Sequence, residues 1–325
     1  MGPFKMSNDA DGDPGKLGKD FLSISDLDHR VLERLLVAAA QMKRDRRLGA
    51  RAPTASDLSG HHVALLFEKP SLRTYSTFEI AIRELGANTL QLPAHFAEGV
   101  REPIEDVARN IERWVRALVI RTFAQEKAQR IAKVATRLSV VNALTDEEHP
   151  CQALADVLTM RERWGAGVGR TVAYVGDGNN VATSLMQAAL MIGVNVRVAS
   201  PAGYTLSDDA VRHAGGLARH GAQVQLFEDP RAAVAGADAV YTDVWTSMGE
   251  EHEAFERRRV FAPYQVNAAL MAAANPGAIF MHCLPAHRGE EVTAEVIESP
   301  ASVVFDQAEN RLHTQKALLH LLLAD

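Results

Sequence analysis

Two rhythms of apolar residues alternate along this chain. Short apolar runs of strand length occur at 61–69 (HHVALLFEK), 88–93 (NTLQLP), 117–123 (ALVIRTF), 139–144 (SVVNAL), 170–177 (RTVAYVGD) and 194–201 (VNVRVASP). Further runs follow at 222–229 (AQVQLFED), 238–245 (DAVYTDVW) and 278–285 (AIFMHCLP). Between them lie stretches in which apolar residues recur every three to four positions, the spacing of one helix face. These are residues 26–47, with Asp26 or Asp28 as N-cap, then 71–85, 103–115, 125–136, 149–164 and 180–193. The last, 307–323, is strongly apolar on one face. Helix 71–85 stops at Gly86, as a C-terminal cap does.

Strand and helix in strict alternation predict parallel sheets covered by helices. The run GAGVG at 165–169 punctuates the chain and divides it into halves. The predicted fold class is α/β, with two doubly wound parallel-sheet domains. Any active site is expected in the crevice at the C-terminal ends of the strands.

Composition narrows the function. The chain has 325 residues, 47% hydrophobic and 23% charged, which suits roughly two globular domains with a full core. A formal net charge of -6 gives no basic face for nucleic acid. No apolar stretch approaches the ~20 residues of a membrane span. The opening residues 1–20 are rich in Gly and Asp, lack the apolar core of a signal peptide and are expected to fray. Two cysteines, Cys151 and Cys283, make no disulfide framework. A reducing, cytoplasmic location follows as the expectation.

Several segments carry candidate chemistry. In FEKPSLRTYSTFE a strand ends near Glu68 and a helix begins near Ser71, so Ser71, Arg73 and Thr74 sit at a helix N-terminus. Free N–H groups and the positive end of the dipole favour an anion there, and Arg73 can grip phosphate with two bonds. In HPCQALADVL, His149 and Gln152 share a helical face, where they could serve a carbonyl oxygen and an amide. Arg121 ends an apolar run and should point into the crevice. YVGDGNNVATS looks like a dinucleotide loop, but Val181 replaces the third glycine and the next strand ends in Ser200 rather than an acid. Asn179 and Asn180 suit an amino acid instead. Asp243 can bind an ammonium, with Ser247, Met248 and the hinge Gly249 just beyond it. Cys283 closes a strand without a neighbouring base, so it reads as a binding group rather than a nucleophile. Arg311, near the start of the last helix, could add a second cation. Zinc is disfavoured, because no second Cys or His accompanies His149 and Cys151. Taken singly, each segment also fits an ordinary helix cap or strand end.

Together the segments resemble the carbamoyltransferase family over nearly the whole chain, from about residue 20 onward. SLRT is similar to the family's carbamoyl phosphate motif, and HPCQ is shared across its members. GDGNN, DVWTSMG and HCLPAHRGEEV are similar to the branch that acts on ornithine. The resemblance implies transfer of a carbamoyl group from carbamoyl phosphate to ornithine, as in arginine biosynthesis, with no cofactor and no metal. It implies that Ser71, Leu72 (through its backbone), Arg73, Thr74 and Arg311 hold carbamoyl phosphate. Arg121, His149 and Gln152 would meet its carbamoyl end, with Cys283 and Leu284 at the junction of the substrates. Asn180, Asp243, Ser247 and Met248 would bind ornithine. Arg121, His149, Asp243 and Cys283 would be the catalytic set.

The implied domains are 21–150 for carbamoyl phosphate, joined by helix 307–323, and 151–306 for ornithine. Two helices, 149–164 and 307–323, would bridge them, and the assembly would be a homotrimer. Two departures stand out. Tyr75 replaces the family's second Arg, and Ala97 or Glu98 stands where a Gln usually reaches a neighbouring site, with Arg101 nearby. Three rival readings remain: a carbamoyltransferase for putrescine, an acylated ornithine or aspartate, a silent binding protein of the same fold, and a nicotinamide dehydrogenase.

Overall fold

The computed structural model describes residues 17–97, 102–247, 249 and 251–324. Most of the expected N-terminal tail therefore lies outside the described residues.

The first sheet contains β1 (His62–Phe67), β2 (Asn88–Leu92), β3 (Ala117–Arg121) and β4 (Ser139–Leu144), in the order β2-β1-β3-β4. The second contains β5 (Thr171–Val175), β6 (Asn195–Ala199), β7 (Val224–Phe227), β8 (Ala239–Thr242) and β9 (Ile279–His282), in the order β7-β6-β5-β8-β9. Every strand pair within these two sheets is parallel, so the α/β reading holds in both halves. The major helices are α1 (His29–Asp45), α2 (Leu72–Glu84), α3 (Ile104–Ile111), α4 (Gln125–Val134), α5 (Pro150–Trp164), α6 (Asn180–Met191) and α7 (Asp208–Leu217). They are followed by α8 (Pro230–Val234), α9 (Ala254–Phe261), α10 (Ala268–Met271), α11 (Ala294–Ile297) and α12 (Val304–Leu323).

Local chemistry sets the helix starts. Asp28 caps α1 by accepting from the backbone N–H groups of Arg30 (2.7 Å) and Val31 (2.8 Å). Asp26, the other expected cap, serves a separate 3-10 turn instead, where it accepts from the N–H groups of Leu22 and Ser23. Ser71 caps α2, His149 precedes Pro150 at the start of α5, and Asn179 caps α6. Helices α7, of ten residues, and α9, of eight, were not anticipated, nor were α8, α10 and α11, whose four or five residues are too few to show a helical period. The final helix starts at Val304 rather than Gln307.

The apolar residues form three layers. Ile104, Val107, Ile111 and Ile131, from α3 and α4, cover one face of the first sheet. Val234, Phe261, Val266 and Val296 cover the far face of the second. The third layer lies between and is shared: it holds Leu35 of α1, Leu154 of α5, Leu185 of α6, Leu318 of α12 and the inner faces of both sheets. Each such side chain, fully removed from water, contributes about 1.5–3 kcal/mol. Helices α5 and α12 are the bridging pair, and α12 also packs on α1 and α2. All residues of α5 from Pro150 to Met160 are buried, and so is the run of α12 from Asn310 to Leu319. Polar groups on those stretches must find partners inside the protein.

Gly178 shows how tightly the crevice is built. A Cβ there would lie 2.5 Å from the backbone nitrogen of Leu206 and 2.6 Å from the carbonyl carbon of Thr205. Gly178→Ala is expected to destabilise the protein by about 1–3 kcal/mol, through overpacking against backbone. Gly215, inside α7, has open space around it, so Gly215→Ala should instead stabilise by about 0.5–1 kcal/mol. Thermal melting of both variants checks the pair; equal midpoints would contradict the packing argument.

Candidate active site

In an open parallel sheet a crevice forms where strand order reverses, because the connections on either side leave on opposite faces. The reversals lie between β1 and β3 in one sheet and between β5 and β8 in the other. The loop after β1 leads into Ser71, Arg73 and Thr74, and β3 ends in Arg121. The loop after β5 carries Asn179 and Asn180, and β8 is followed at once by Asp243. Thus both switch points carry residues singled out from sequence.

The first wall is cationic. Ser71 Oγ accepts from the Thr74 N–H at 3.2 Å, which fixes the first turn of α2. Thr74 Oγ1 in turn accepts from Arg311 Nη2 at 2.9 Å, and Gln152 Oε1 accepts from Arg311 Nη1 at 2.5 Å. Arg311 is 2% exposed, and its Nε has no partner. Arg121 is 6% exposed, and its Nε is also unpartnered. Burial, followed by the charge of Arg311, lowers the Arg121 pKa to about 10, so it stays cationic at neutral pH. Burial lowers the Arg73 pKa as well.

His149 is buried with Nδ1 unpartnered. Burial first, then the charges of Arg311 and Arg121, hold its pKa well below the ordinary histidine value. It is a neutral imidazole, able to donate or accept without adding charge. Its backbone N–H donates to Ser184 Oγ at 2.9 Å, and Ser184 donates to the buried Glu148 at 2.6 Å.

The second wall is built on Asp243, which is 5% exposed. Asn179 Nδ2 donates to its Oδ2 at 2.9 Å, and the Cys283 thiol donates to its Oδ1 at 2.8 Å. Burial and the Asp243 carboxylate push the Cys283 pKa well up, so the sulfur is a neutral thiol. The residue after it, Leu284, holds a left-handed backbone at φ 58°, a strain met chiefly at sites where structure over-determines the chain. Its N–H donates to His282 Nδ1 at 2.8 Å, and His282 Nε2 faces the buried Glu291 at 3.1 Å. The walls face each other: Cys283 lies in the field of Arg73, Arg121 and Arg311. Asn180 Nδ2 closes one side of the crevice by donating to Thr145 O, in the loop before α5, at 2.5 Å.

Some expected residues stand apart. The Leu72 side chain is 77% exposed, which leaves only its backbone for the expected role. Asn180 bonds the first-sheet loop, whereas Asn179 holds Asp243. Ser247 is half-buried in the loop after β8. That loop is anchored by Arg257, which donates to Asp177 (2.8 Å) and Trp245 O (3.0 Å) and lies over the Tyr204 ring. Met248, Glu98 and Arg101 lie outside the described residues. Tyr75 donates to Gln91 at 3.2 Å on β2.

Asp156, Tyr241 and Gln307 were missed from sequence. An acid within the buried apolar run of α5 was the available signal. Among the described residues, Asp243, His282 and Cys283 bring ligand atoms within 4.8 Å of one another. Both His282 nitrogens are already engaged, which leaves two donors where zinc takes three or four from protein. His287, Glu290 and Glu291 form a second such group, which shares Glu291, the partner of His282.

Comparison with known proteins agrees with this architecture. A family model described as the aspartate/ornithine carbamoyltransferase carbamoyl-P binding domain matches residues 19–162. Its partner, the Asp/Orn binding domain, matches residues 168–322. An ornithine carbamoyltransferase of Acidothermus cellulolyticus is 51% identical over 307 residues, 94% of this chain and 96% of that relative. One from Thermosynechococcus vestitus is 50% identical over the same shares. The solved ornithine carbamoyltransferase of Pyrococcus furiosus superposes with a TM-score of 0.89 at 46% identity, covering 95% of this chain and 97% of that one. That of Gloeobacter violaceus gives 0.85 at 44% identity, covering 95% and 99%. With both domain models in order and half of all residues shared, the chain belongs to the aspartate/ornithine carbamoyltransferase family.

Proposed function

We propose that this chain is an ornithine carbamoyltransferase, forming L-citrulline and phosphate from carbamoyl phosphate and L-ornithine, as a step of arginine biosynthesis. The observation that carries the reading is the meeting of three guanidiniums, Arg73, Arg121 and Arg311, with a single acid-bound thiol, Cys283 on Asp243. Three cations without a matching set of carboxylates call for a multiply charged anion. Unpartnered Nε atoms on Arg121 and Arg311 leave donors for its oxygens. Ser71, Thr74 and the Leu72 backbone N–H at the start of α2 complete a phosphate seat.

The acceptor side follows from charge as well. Ornithine's side-chain amine resembles that of lysine, with a pKa of roughly 10.4 in water. Near the arginines its neutral form is favoured, which frees the lone pair. That nitrogen attacks the carbamoyl carbon, the bond to the phosphate oxygen breaks, and the departing phosphate takes the amine proton. Arg121, His149 and Thr74 meet the carbamoyl oxygen as it gains negative charge, and one such donor is worth about 2.7–4 kcal/mol. Gln152 bounds the carbamoyl end. Asp243, oriented by Asn179 and the Cys283 thiol, binds the amino acid, with Asn180, Ser247, Met248 and Leu284 around it. Cys283, being a neutral thiol, positions substrate and forms no covalent intermediate. Holding both substrates in line contributes up to about 7–11 kcal/mol.

The division of labour we propose gives 21–150 and helix α12 to carbamoyl phosphate and 151–306 to ornithine. A trimer is the assembly we propose. Leu72, Ile80 and Leu90 are exposed apolar residues on α2 and β2, at the edge of the first sheet, and suit a subunit contact. The cytoplasm is its proposed location, in keeping with two free cysteines.

Citrulline formation by the purified protein tests the reading, with putrescine and N-acetylornithine as comparators; activity with a comparator alone would overturn it. Arg73→Ala is expected to lower kcat/KM for carbamoyl phosphate about 10²–10³-fold in steady-state assays, and a rate equal to wild type would remove Arg73 from the phosphate seat. Asp243→Asn should raise the KM for ornithine by at least about tenfold while carbamoyl phosphate binding, followed by calorimetry, changes little.

A further inference from the structure

Asp156 lies in the middle of α5 with no exposure to solvent, and the attack chemistry makes no use of it. Its carboxylate accepts three hydrogen bonds. Oδ1 takes Gln152 Nε2 at 2.8 Å and Gln307 Nε2 at 2.7 Å, and Oδ2 takes the Tyr241 hydroxyl at 3.3 Å. An ionised carboxylate only accepts, so both glutamines turn their NH2 groups toward it and their carbonyls away. The Gln152 carbonyl then meets Arg311 Nη1, and the Gln307 carbonyl meets the backbone N–H of His282 at 3.0 Å, one residue before Cys283. Reversing either amide would set donor against donor. One buried acid therefore orients a guanidinium of the cationic wall and the strand end that carries the thiol wall.

We infer that Asp156 is a positioning residue of carbamoyl transfer, acting through Gln152 and Gln307 to hold Arg311 and the Cys283–Leu284 turn in attack geometry. The inference rests on the carbamoyl-transfer reading of the crevice. A charged acceptor makes hydrogen bonds about twice as strong as a neutral one, so the hold depends on ionisation. Burial raises the Asp156 pKa to about 7, against the opposing pull of its hydrogen-bond donors and Arg311. The ionisable groups facing it are Arg311 from α12, Tyr241 from β8 and Cys283 beyond β9. Burial keeps the last two neutral, with their pKa values well above ordinary. Arg311 stays cationic, so Asp156 is the member of this set that changes charge near neutral pH.

The test compares wild type, Asp156→Asn and Asp156→Leu by kcat/KM for carbamoyl phosphate at saturating ornithine, from about pH 6 to about pH 9. Asn keeps an acceptor oxygen without charge; Leu keeps none. The ratio of wild type to Asp156→Asn is expected to rise from near one at the acid end to about tenfold above neutrality. Substrate ionisations cancel in that ratio. Asp156→Leu should lose about a hundredfold across the range. A ratio independent of pH overturns the inference even if the Leu variant fails to fold, and so does a folded Leu variant with wild-type kcat/KM. Citrulline formation by wild type in the same assay reports on the underlying reading separately.

Discussion

A guanidinium sealed between two sheets is the constraint from which the rest of the architecture follows. Arg311 sits on the helix that returns from the second half to the first and is almost wholly buried, at 2% exposure. Burying an unpaired charge costs several kcal/mol, and breaking a buried polar set by removing one partner costs about 3–5 kcal/mol. Arg311 therefore dictates its neighbours: Thr74 at the start of α2 and Gln152 in the first turn of α5. Gln152 in turn needs an acceptor for its NH2 group, and Asp156 supplies it. From there the chain of partners passes through Gln307 to the end of β9. Two sheets that could otherwise slide on an apolar layer are registered by these directional contacts.

The same economy of charge explains the two walls. The protein carries a formal net charge of -6, yet its crevice gathers three arginines. Local burial, not overall charge, decides the field there, because low-dielectric walls strengthen each interaction. Its titratable neighbours are kept neutral: burial and the arginines hold His149 unprotonated, so it adds no further repulsion, and burial with the Asp243 carboxylate holds Cys283 as a thiol, so it contributes no negative charge. An anion entering the seat satisfies donors that the folded chain leaves open.

Much of this was legible along the chain. The parallel α/β architecture followed from alternation, and the bounds of β4 match the apolar run 139–144 residue for residue. Ser71, Thr74, Arg121, His149 and Asp243 were readable because each stands at a strand end or helix start, where periodicity changes. Their mutual geometry was not readable. Asn180 and Asn179 are adjacent in sequence, yet the cap geometry of α6 gives Asn179 to Asp243 and turns Asn180 toward Thr145. Asp156 hid in plain view, since a single acid in a helix reads as solvated unless the helix is known to be buried on every side. Helices α7 and α9 escaped as well, and α8, α10 and α11 did because tertiary packing, not intrinsic pattern, decides segments of four or five residues.

The bond between Thr74 and Arg311 joins residues 237 positions apart. A chain growing from its N-terminus builds the whole first sheet, with Arg73 and Arg121 at its first helix turn and strand end, long before the third cation of that wall exists. Domains tend to condense in the order in which they are made, so the early half must stand on its apolar layers alone. A small anion stabilises a fold only in proportion to its affinity for it, and here that affinity arrives last. During synthesis the metabolite can therefore reward only a nearly finished polypeptide.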